Sequence, residues 1–184
     1  QKETFALLDQ FLGAFQSNAC FILKGYAGTG KTTIISALVA MLPQIQKRAV
    51  LLAPTGRAAK VMSHYAQRPA LTIHKKIYRK KSAATLDMDF VLAENVHENT
   101  LFIIDEASMI TNESVNMFSS SLLDDLLKFV HAGKNCSLMF VGDTAQLPPV
   151  GLIYSPALDP EFMANNYRLH CLSYELTDVV RQAK

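Results

Sequence analysis

The sequence G-Y-A-G-T-G-K-T at residues 25–32 decides the fold of this chain. It follows an apolar run at residues 21–23, which predicts a strand, and it precedes a helical pattern at residues 32–42. Glycines let the backbone N–H groups of such a loop approach an anion closely, and the helix directs the positive end of its dipole at the same anion. The motif therefore predicts a phosphate-binding loop, in which Lys31 contacts the β- and γ-phosphates and the Thr32 hydroxyl binds Mg²⁺.

Short apolar runs alternate with helical patterns along the rest of the chain. The runs are β-rich and nearly continuous, as in strands that are buried on both faces, and they span residues 20–23, 49–53, 101–104, 137–141 and 171–176. The helical patterns span residues 2–15, 32–42, 56–65 and 113–131. This alternation predicts an α/β fold with helices on both faces of a parallel β-sheet, and ligand chemistry at the carboxyl ends of its strands.

Two acidic residues follow the third predicted strand. Asp105 and Glu106 come directly after residues 101–104, where an unpaired buried charge would be costly. A metal ion and a water molecule would give both carboxylates a partner. We therefore expect Asp105 to hold Mg²⁺ through its water shell, and Glu106 to orient or deprotonate an attacking water. The structural alternative is that Asp105 caps a helix.

A polar segment, G-D-T-A-Q at residues 142–146, follows the fourth predicted strand. The amide of Gln146 can both donate and accept a hydrogen bond, so at a strand end it can contact a γ-phosphate, a water or a coupled partner. An ordinary Asx turn before the following prolines explains the segment equally well. The residues alone do not separate these two interpretations.

Composition bounds the class of protein. With 184 residues, of which 49% are hydrophobic, the chain is long enough for one sizeable core, and we expect one domain with a small insertion at residues 78–100. The net charge of +2 is too small to indicate nucleic acid by itself.

We expect no membrane segment, because no apolar run reaches spanning length. Cys20, Cys136 and Cys171 lack metal-ligand spacing, so we expect free thiols in a reducing cytoplasm.

Together these motifs resemble the first RecA-like core domain of superfamily 1B DNA helicases, in the RecD-like and Dda-like branch. Five blocks occur in the family's order: G-Y-A-G-T-G-K-T at 25–32, L-L-A-P-T-G-R-A-A-K at 51–60, T-I-H at 72–74, I-I-D-E-A-S at 103–108 and V-G-D-T-A-Q-L-P-P-V-G at 141–151. The loop alone indicates only an NTPase. The D-E-A-S and G-D-x-x-Q-L-P-P-V blocks together are specific to this branch, so the resemblance implies a RecA-like P-loop NTPase fold.

The resemblance implies a role for each matching residue. Nucleotide would contact Gly25, Ala27, Gly28, Thr29, Gly30, Lys31, Thr32, Thr33 and Asp105, with Mg²⁺ at Thr32 and Asp105. The catalytic residues would be Lys31, Glu106, Gln146 and Arg181. Single-stranded DNA would lie along Pro54, Thr55, Arg57, Thr72 and His74. From residue type alone, Thr55 also fits a helix N-cap, and an ordinary surface or core histidine is the better interpretation of His74. A glutamine near the N-terminus would read adenine, and we favour Gln1 over Gln10.

The resemblance also implies what the whole protein does. It would hydrolyse ATP between two core domains and move 5′ to 3′ along single-stranded DNA as a monomer, without a membrane partner. L-T-D-V-V-R-Q at residues 176–182 resembles the opening block of the second core domain, so residues 176–184 would begin a domain that is otherwise missing. Its arginines account for about three to five orders of magnitude in rate in such motors, so we expect this chain alone to bind nucleotide weakly, hydrolyse it slowly and not unwind.

Some interpretations stay open at this stage. In the resembled family an insertion at residues 78–100 forms a wedge that separates strands, whereas a solvated loop is the plain alternative. We expect Phe90, within it, to pack in the core. The sequence does not distinguish DNA from RNA as the bound strand. Two other functional classes also fit parts of the sequence, a non-helicase P-loop NTPase and a module that binds nucleotide or DNA without catalysis.

Overall fold

A six-stranded parallel sheet forms the centre of the computed structural model, which describes residues 2–13, 18–80, 90–113, 120–146, 149 and 151–178. Its strands are β1 (Ala19–Gly25), β2 (Arg48–Ala53), β3 (Ala70–Thr72), β6 (Thr100–Ile104), β7 (Ser137–Gly142) and β8 (His170–Leu176). They lie in the order β3-β2-β6-β7-β1-β8. The phosphate-binding motif therefore follows a strand inside the sheet, and the carboxyl ends of β1, β6 and β7 meet at one edge.

Helices cover both faces of this sheet. They are α1 (Lys2–Gly13), α2 (Lys31–Met41), α3 (Gly56–Ala66), α4 (Ile73–Ile77), α5 (Leu122–His131) and α6 (Pro160–Tyr167). Alternate residues of β1 face opposite sides of the sheet. Phe21 belongs to the core cluster that includes residues of α1, α2 and α3, whereas Ile22 belongs to the cluster that includes residues of α4, α5 and α6. The predicted α/β architecture is confirmed, because continuous apolar strands are what two-sided burial requires.

The boundary of one helix differs from the prediction. The pattern placed a helix at residues 113–131, but α5 begins at Leu122, and residues 114–119 lie outside the described part of the chain. Ser121 is the N-cap: its hydroxyl accepts from the Asp124 N–H, and the Asp124 carboxylate accepts from the Ser121 N–H. This reciprocal pair satisfies two backbone donors and fixes the start of the helix. The apolar periodicity of the sequence also extends over the residues before Ser121, so it did not indicate where the helix begins.

The insertion contains a short antiparallel pair, β4 (Tyr78–Lys80) and β5 (Phe90–Leu92). Lys80 pairs with Phe90 at its far end, and residues 81–89 lie outside the described part of the chain. Phe90 is 60% exposed, so our expectation that it packs in the core is wrong. The partner strand β4 is only three residues long, and no second layer among the described residues covers the Phe90 ring. Strand separation by this segment stays a prediction.

Phe102 provides a test of the core. It is fully buried in β6, and its ring makes edge-to-face contacts with His97 and Phe129 at centroid distances of 5.4 and 5.9 Å. We expect Phe102→Ala to lower the free energy of unfolding by about 3–5 kcal/mol, because it leaves a cavity that close packing cannot fill. Urea denaturation measures this loss. The control, Phe90→Ala, removes an exposed ring and should change stability by less than about 0.5 kcal/mol. Equal losses in both variants would contradict this view of the core.

The three cysteines are free thiols, as expected, with Cys20 and Cys136 buried and Cys171 half-buried. Among the described residues, no helix has the length and apolar character needed to cross a membrane.

Candidate functional site

A cleft of about 210 Å³ opens where β1, β6 and β7 end. It is lined by Ala27, Gly28, Gly30, Lys31, Thr32, Asp105, Glu106, Gly142, Asp143 and Gln146. Eight of these ten residues were predicted from the sequence to bind nucleotide or metal or to act in catalysis. They come from three separate segments of the chain, and the parallel sheet brings them together because its strands end at a common edge.

The loop before α2 has the backbone geometry that its glycines predict. Gly28 and Gly30 have φ angles of 81° and 91°, in the left-handed region that glycine adopts without strain. Thr29 is buried between them, and its hydroxyl donates to the carbonyl of Tyr26 at 2.8 Å. Gly30 occupies the N-cap of α2, and no side chain of the described residues caps this helix end. The first N–H groups of α2 are therefore available to an anion.

Lys31 lies against this loop. Its ammonium group donates to the carbonyl oxygens of Gly25 and Tyr26 at 2.5 and 2.9 Å. These contacts hold a positive charge beside the glycine-rich backbone, at the mouth of the cleft. Thr32 follows in the first turn of α2 and lines the same cleft. Thr33 is exposed on α2 and does not line it.

Two hydrogen bonds orient the Asp105 carboxylate. Oδ2 accepts from the Tyr65 hydroxyl at 2.7 Å, and Oδ1 accepts from the Glu106 N–H at 2.9 Å. Burial, and then the negative charges of Asp105 and Glu106, raise the pKa of Tyr65 well above its usual value, so its hydroxyl stays a donor. Asp105 is not the helix cap of the structural alternative, because Glu106 occupies the N-cap of the 3₁₀ turn Ala107–Met109.

Glu106 has a strained backbone. Its φ and ψ of 54° and 37° lie in the left-handed region, which costs a residue with a Cβ about 1–2 kcal/mol. Such strain persists only where the surrounding structure imposes it, and it is enriched at functional sites. Nothing in the D-E-A-S sequence signals this conformation.

Gln146 is held at the edge of the cleft. The buried hydroxyl of Ser108 donates to its Oε1 at 3.0 Å. The Asx turn of the structural alternative is also present, since Asp143 Oδ1 accepts from the Ala145 N–H at 2.9 Å. The two interpretations are therefore compatible, because the turn presents Gln146 to the cleft. Sequence reasoning missed Tyr65, Ser108 and Asp143, and for Ser108 its place in the D-E-A-S block was an available signal.

The predicted DNA-contacting residues form a second surface at the same edge of the sheet. Thr55 lies just after β2, and Thr72 is the last residue of the neighbouring strand β3, where it pairs with Ala53. Both threonines are N-caps: Thr55 accepts from Ala58 N–H at 3.2 Å and Thr72 from Lys75 N–H at 3.2 Å. This confirms the capping interpretation of Thr55 and leaves its DNA contact a prediction.

The basic side chains of this surface face solvent. Arg57 lies exposed in the first turn of α3, next to the half-buried Pro54. His74 is exposed on α4, with its ring centroid 5.7 Å from that of Tyr78. A core role for His74 is therefore wrong. β2 lies next to β6 in the sheet, so this surface adjoins the cleft.

The remaining residues named from the sequence lie near the two ends of the chain. Gln1 and Arg181 lie outside the described residues. Gln10 lies near Ala19, beside the amino end of β1 and away from the carboxyl edge. It is therefore not placed to read a base bound in the cleft.

The fold and the cleft define a class. A parallel sheet with a glycine-rich phosphate-binding loop after one strand, and an acidic pair at the end of another, is the architecture of a RecA-like P-loop NTPase. The profile of the AAA domain family matches residues 12–152, so this chain belongs to that family.

Comparison with individual relatives makes the family assignment more specific. The chain is 32% identical to the uncharacterized protein MJ1519 of Methanocaldococcus jannaschii, over 73% of this chain and 12% of that protein. It is 30% identical to the ATP-dependent RecD2 DNA helicase of Deinococcus radiodurans, over 81% of this chain and 18% of the helicase. The resemblance to the first core domain of superfamily 1 helicases is thereby confirmed. The chain spans less than a fifth of the length of either relative.

A solved structure shares the fold. The Pif1 helicase from Bacteroides, solved in complex with ADP-AlF3 and single-stranded DNA, superposes with a TM-score of 0.55 at 20% identity. The superposition covers 100% of this chain and 43% of that one. At this identity the match supports the fold alone.

Proposed function

We propose that this chain is the ATP-binding core domain of an ATP-dependent DNA helicase, a motor that moves along single-stranded DNA. One observation carries the proposal: Lys31, Asp105, Glu106 and Gln146 share a single cleft, beside a surface with the exposed cation Arg57. The relationship to the RecD2 DNA helicase supports it.

Nucleotide phosphates would bind against the loop and the start of α2. The uncapped N–H groups of α2 and the glycines provide donors, and Lys31 exchanges its carbonyl contacts for phosphate oxygens. The Thr32 hydroxyl and the Asp105 carboxylate fit Mg²⁺, since both are oxygen ligands on the same cleft, and the bound ion would neutralise charge on the phosphates. Glu106 would then orient a water at the γ-phosphate and accept its proton.

Residues at the edge of the cleft would couple nucleotide binding to DNA binding. Gln146, oriented by Ser108, contacts the γ-phosphate when it is present. The adjoining surface at Thr55, Arg57, Thr72 and His74 holds the strand through its sugar–phosphate backbone and bases. Pro54 precedes this surface at the end of β2. Movement would be 5′ to 3′, on the strength of the family resemblance, with RNA as the alternative strand.

The remaining parts of the motor are also proposals. Residues 1–184 form one cytoplasmic motor domain, with an insertion at 78–100 and the start of a second RecA-like domain at 176–184. That second domain supplies arginines at the γ-phosphate, Arg181 among them, and Gln1 reads adenine. The whole protein acts as a monomer. Without the second domain, this chain hydrolyses ATP slowly and does not unwind DNA.

Single-stranded DNA should stimulate ATP hydrolysis by the full-length protein. We expect the rate to rise on addition of an oligothymidine and not on addition of thymidine monophosphate. Steady-state assays with a coupled enzyme measure this rate. Hydrolysis that ignores single-stranded DNA would remove the helicase proposal and leave a non-helicase NTPase, and binding without hydrolysis would leave a binding module.

Arg57→Ala tests the proposed DNA surface. We expect weaker binding to oligothymidine and a salt dependence whose logarithmic slope falls by about one, since one phosphate contact is lost. Fluorescence anisotropy across a salt series measures both. The matched control is Arg48→Ala, because Arg48 is an exposed arginine at the amino end of β2, away from this surface. The same loss of oligothymidine binding in both variants would contradict the proposed position of the single-stranded DNA.

A further inference from the structure

Tyr65 lies at the junction of three elements of the site. Its hydroxyl donates to Asp105 Oδ2 at 2.7 Å, just after β6. Its backbone carbonyl is 3.0 Å from the Ser36 hydroxyl of α2, and that hydroxyl is also 2.8 Å from the carbonyl of Thr32. One residue of α3 is therefore joined both to the helix that follows the phosphate-binding loop and to the carboxylate proposed to hold Mg²⁺.

The contact with Tyr65 completes the orientation of Asp105. The Glu106 N–H fixes Oδ1 and the Tyr65 hydroxyl fixes Oδ2, so the carboxylate plane has two anchors. Each oxygen retains a lone pair for a further partner. Donors of this kind set the orientation of a metal-binding carboxylate, and their removal typically weakens metal binding or activity about 10- to 100-fold.

The opposite end of α3 belongs to the proposed DNA surface. Thr55 caps it, and Arg57 is exposed in its first turn. The helix has 11 residues, so it spans about 16 Å as a rigid rod with Tyr65 in its last turn. Restraint of the start of α3 by a bound DNA strand would therefore also restrain the end of the helix that carries Tyr65.

We propose that Tyr65 is a positioning residue that transmits the contact of single-stranded DNA with the start of α3 to the orientation of Asp105. The inference rests on the proposed function, which assigns DNA to Thr55 and Arg57. When a strand restrains the start of α3, the Tyr65 hydroxyl holds Asp105 in one orientation. When no strand is bound, α3 is less restrained and Asp105 samples other orientations.

Tyr65→Phe in the full-length protein tests this proposal, because it removes the hydroxyl and keeps the ring. The matched control is Tyr167→Phe, which breaks a similar bond, from the Tyr167 hydroxyl to Asp124 Oδ1 at 2.8 Å, on the α5–α6 side of the sheet. Electron paramagnetic resonance with Mn²⁺ and a non-hydrolysable ATP analogue, with and without oligothymidine, measures metal affinity directly. We expect Tyr65→Phe to weaken Mn²⁺ binding about tenfold and to abolish its dependence on oligothymidine, and the control to leave both unchanged.

Hydrolysis provides a second measurement. In Tyr65→Phe we expect the ratio of kcat with DNA to kcat without DNA to fall towards one. The inference would be overturned if Tyr65→Phe matched Tyr167→Phe in its response to DNA and in its Mn²⁺ affinity. It would also be overturned if Tyr65→Phe lost the same proportion of kcat with and without DNA, because that result indicates structural damage only. A wild-type protein that ignores DNA would instead refute the proposed function, so the two failures are distinguishable.

Discussion

Lys31→Ala is expected to lower ATP hydrolysis by the full-length protein about 10²- to 10³-fold, the usual loss when one group that stabilises transition-state charge is removed. The Lys31 ammonium lies against the phosphate-binding loop, held by the carbonyls of Gly25 and Tyr26. No other lysine or arginine of the described residues lines this cleft, so the lost charge has no local replacement there. Steady-state hydrolysis and calorimetric titration with ATP would measure the losses in rate and in affinity.

The matched control for this experiment is Lys134→Ala. Lys134 is exposed before β7, and its ammonium lies 3.5 Å from the exposed carboxylate of Glu98, a surface pair that contributes little to stability. We expect the control to retain both hydrolysis and affinity. Thermal melting of both variants separates a chemical loss from unfolding. Retained hydrolysis in a folded Lys31→Ala protein would contradict the phosphate-binding assignment of the loop.

Glu106→Gln is expected to lower kcat about 10²- to 10⁴-fold while nucleotide binding persists, because an amide cannot accept a proton from water. Glutamine has the shape of glutamate and keeps the same left-handed backbone, so the substitution isolates the charge. Single-turnover hydrolysis measures the chemical step, and fluorescence of a labelled ATP measures binding.

The control here is Glu161→Gln, at an exposed position in the first turn of α6. It should leave turnover unchanged and reveal any general effect of removing one negative charge. If Glu106→Gln also hydrolysed ATP at the wild-type rate, Glu106 would not activate water, and a binding module would become the better description of this chain.

Local sequence signals predicted the parts of the fold that depend on local chemistry. The glycine-rich loop, the two-sided burial of β1 and the N-cap at Thr55 each follow from a few adjacent residues. The common position of Lys31 and Asp105 was also predictable, although 74 positions separate them in the chain, because parallel strands align their carboxyl ends.

Features that depend on packing between distant segments were not predictable. The edge strand β3 and helix α4 have three and five residues, too few for a periodic pattern. The contact between Tyr65 and Asp105 joins residues 40 positions apart, and it depends on how α3 lies across the sheet. A single tyrosine in an amphipathic helix has no local signal that separates this role from ordinary packing.

The left-handed backbone of Glu106 has an evolutionary consequence. A glycine at that position would adopt the conformation without the penalty of a Cβ, so selection for heat resistance alone would favour losing the carboxylate. A lineage that keeps an acidic side chain at this position has a less stable fold but retains the carboxylate proposed to activate water. Variants of this protein selected only for thermostability would therefore lose ATP hydrolysis unless catalytic activity were selected at the same time.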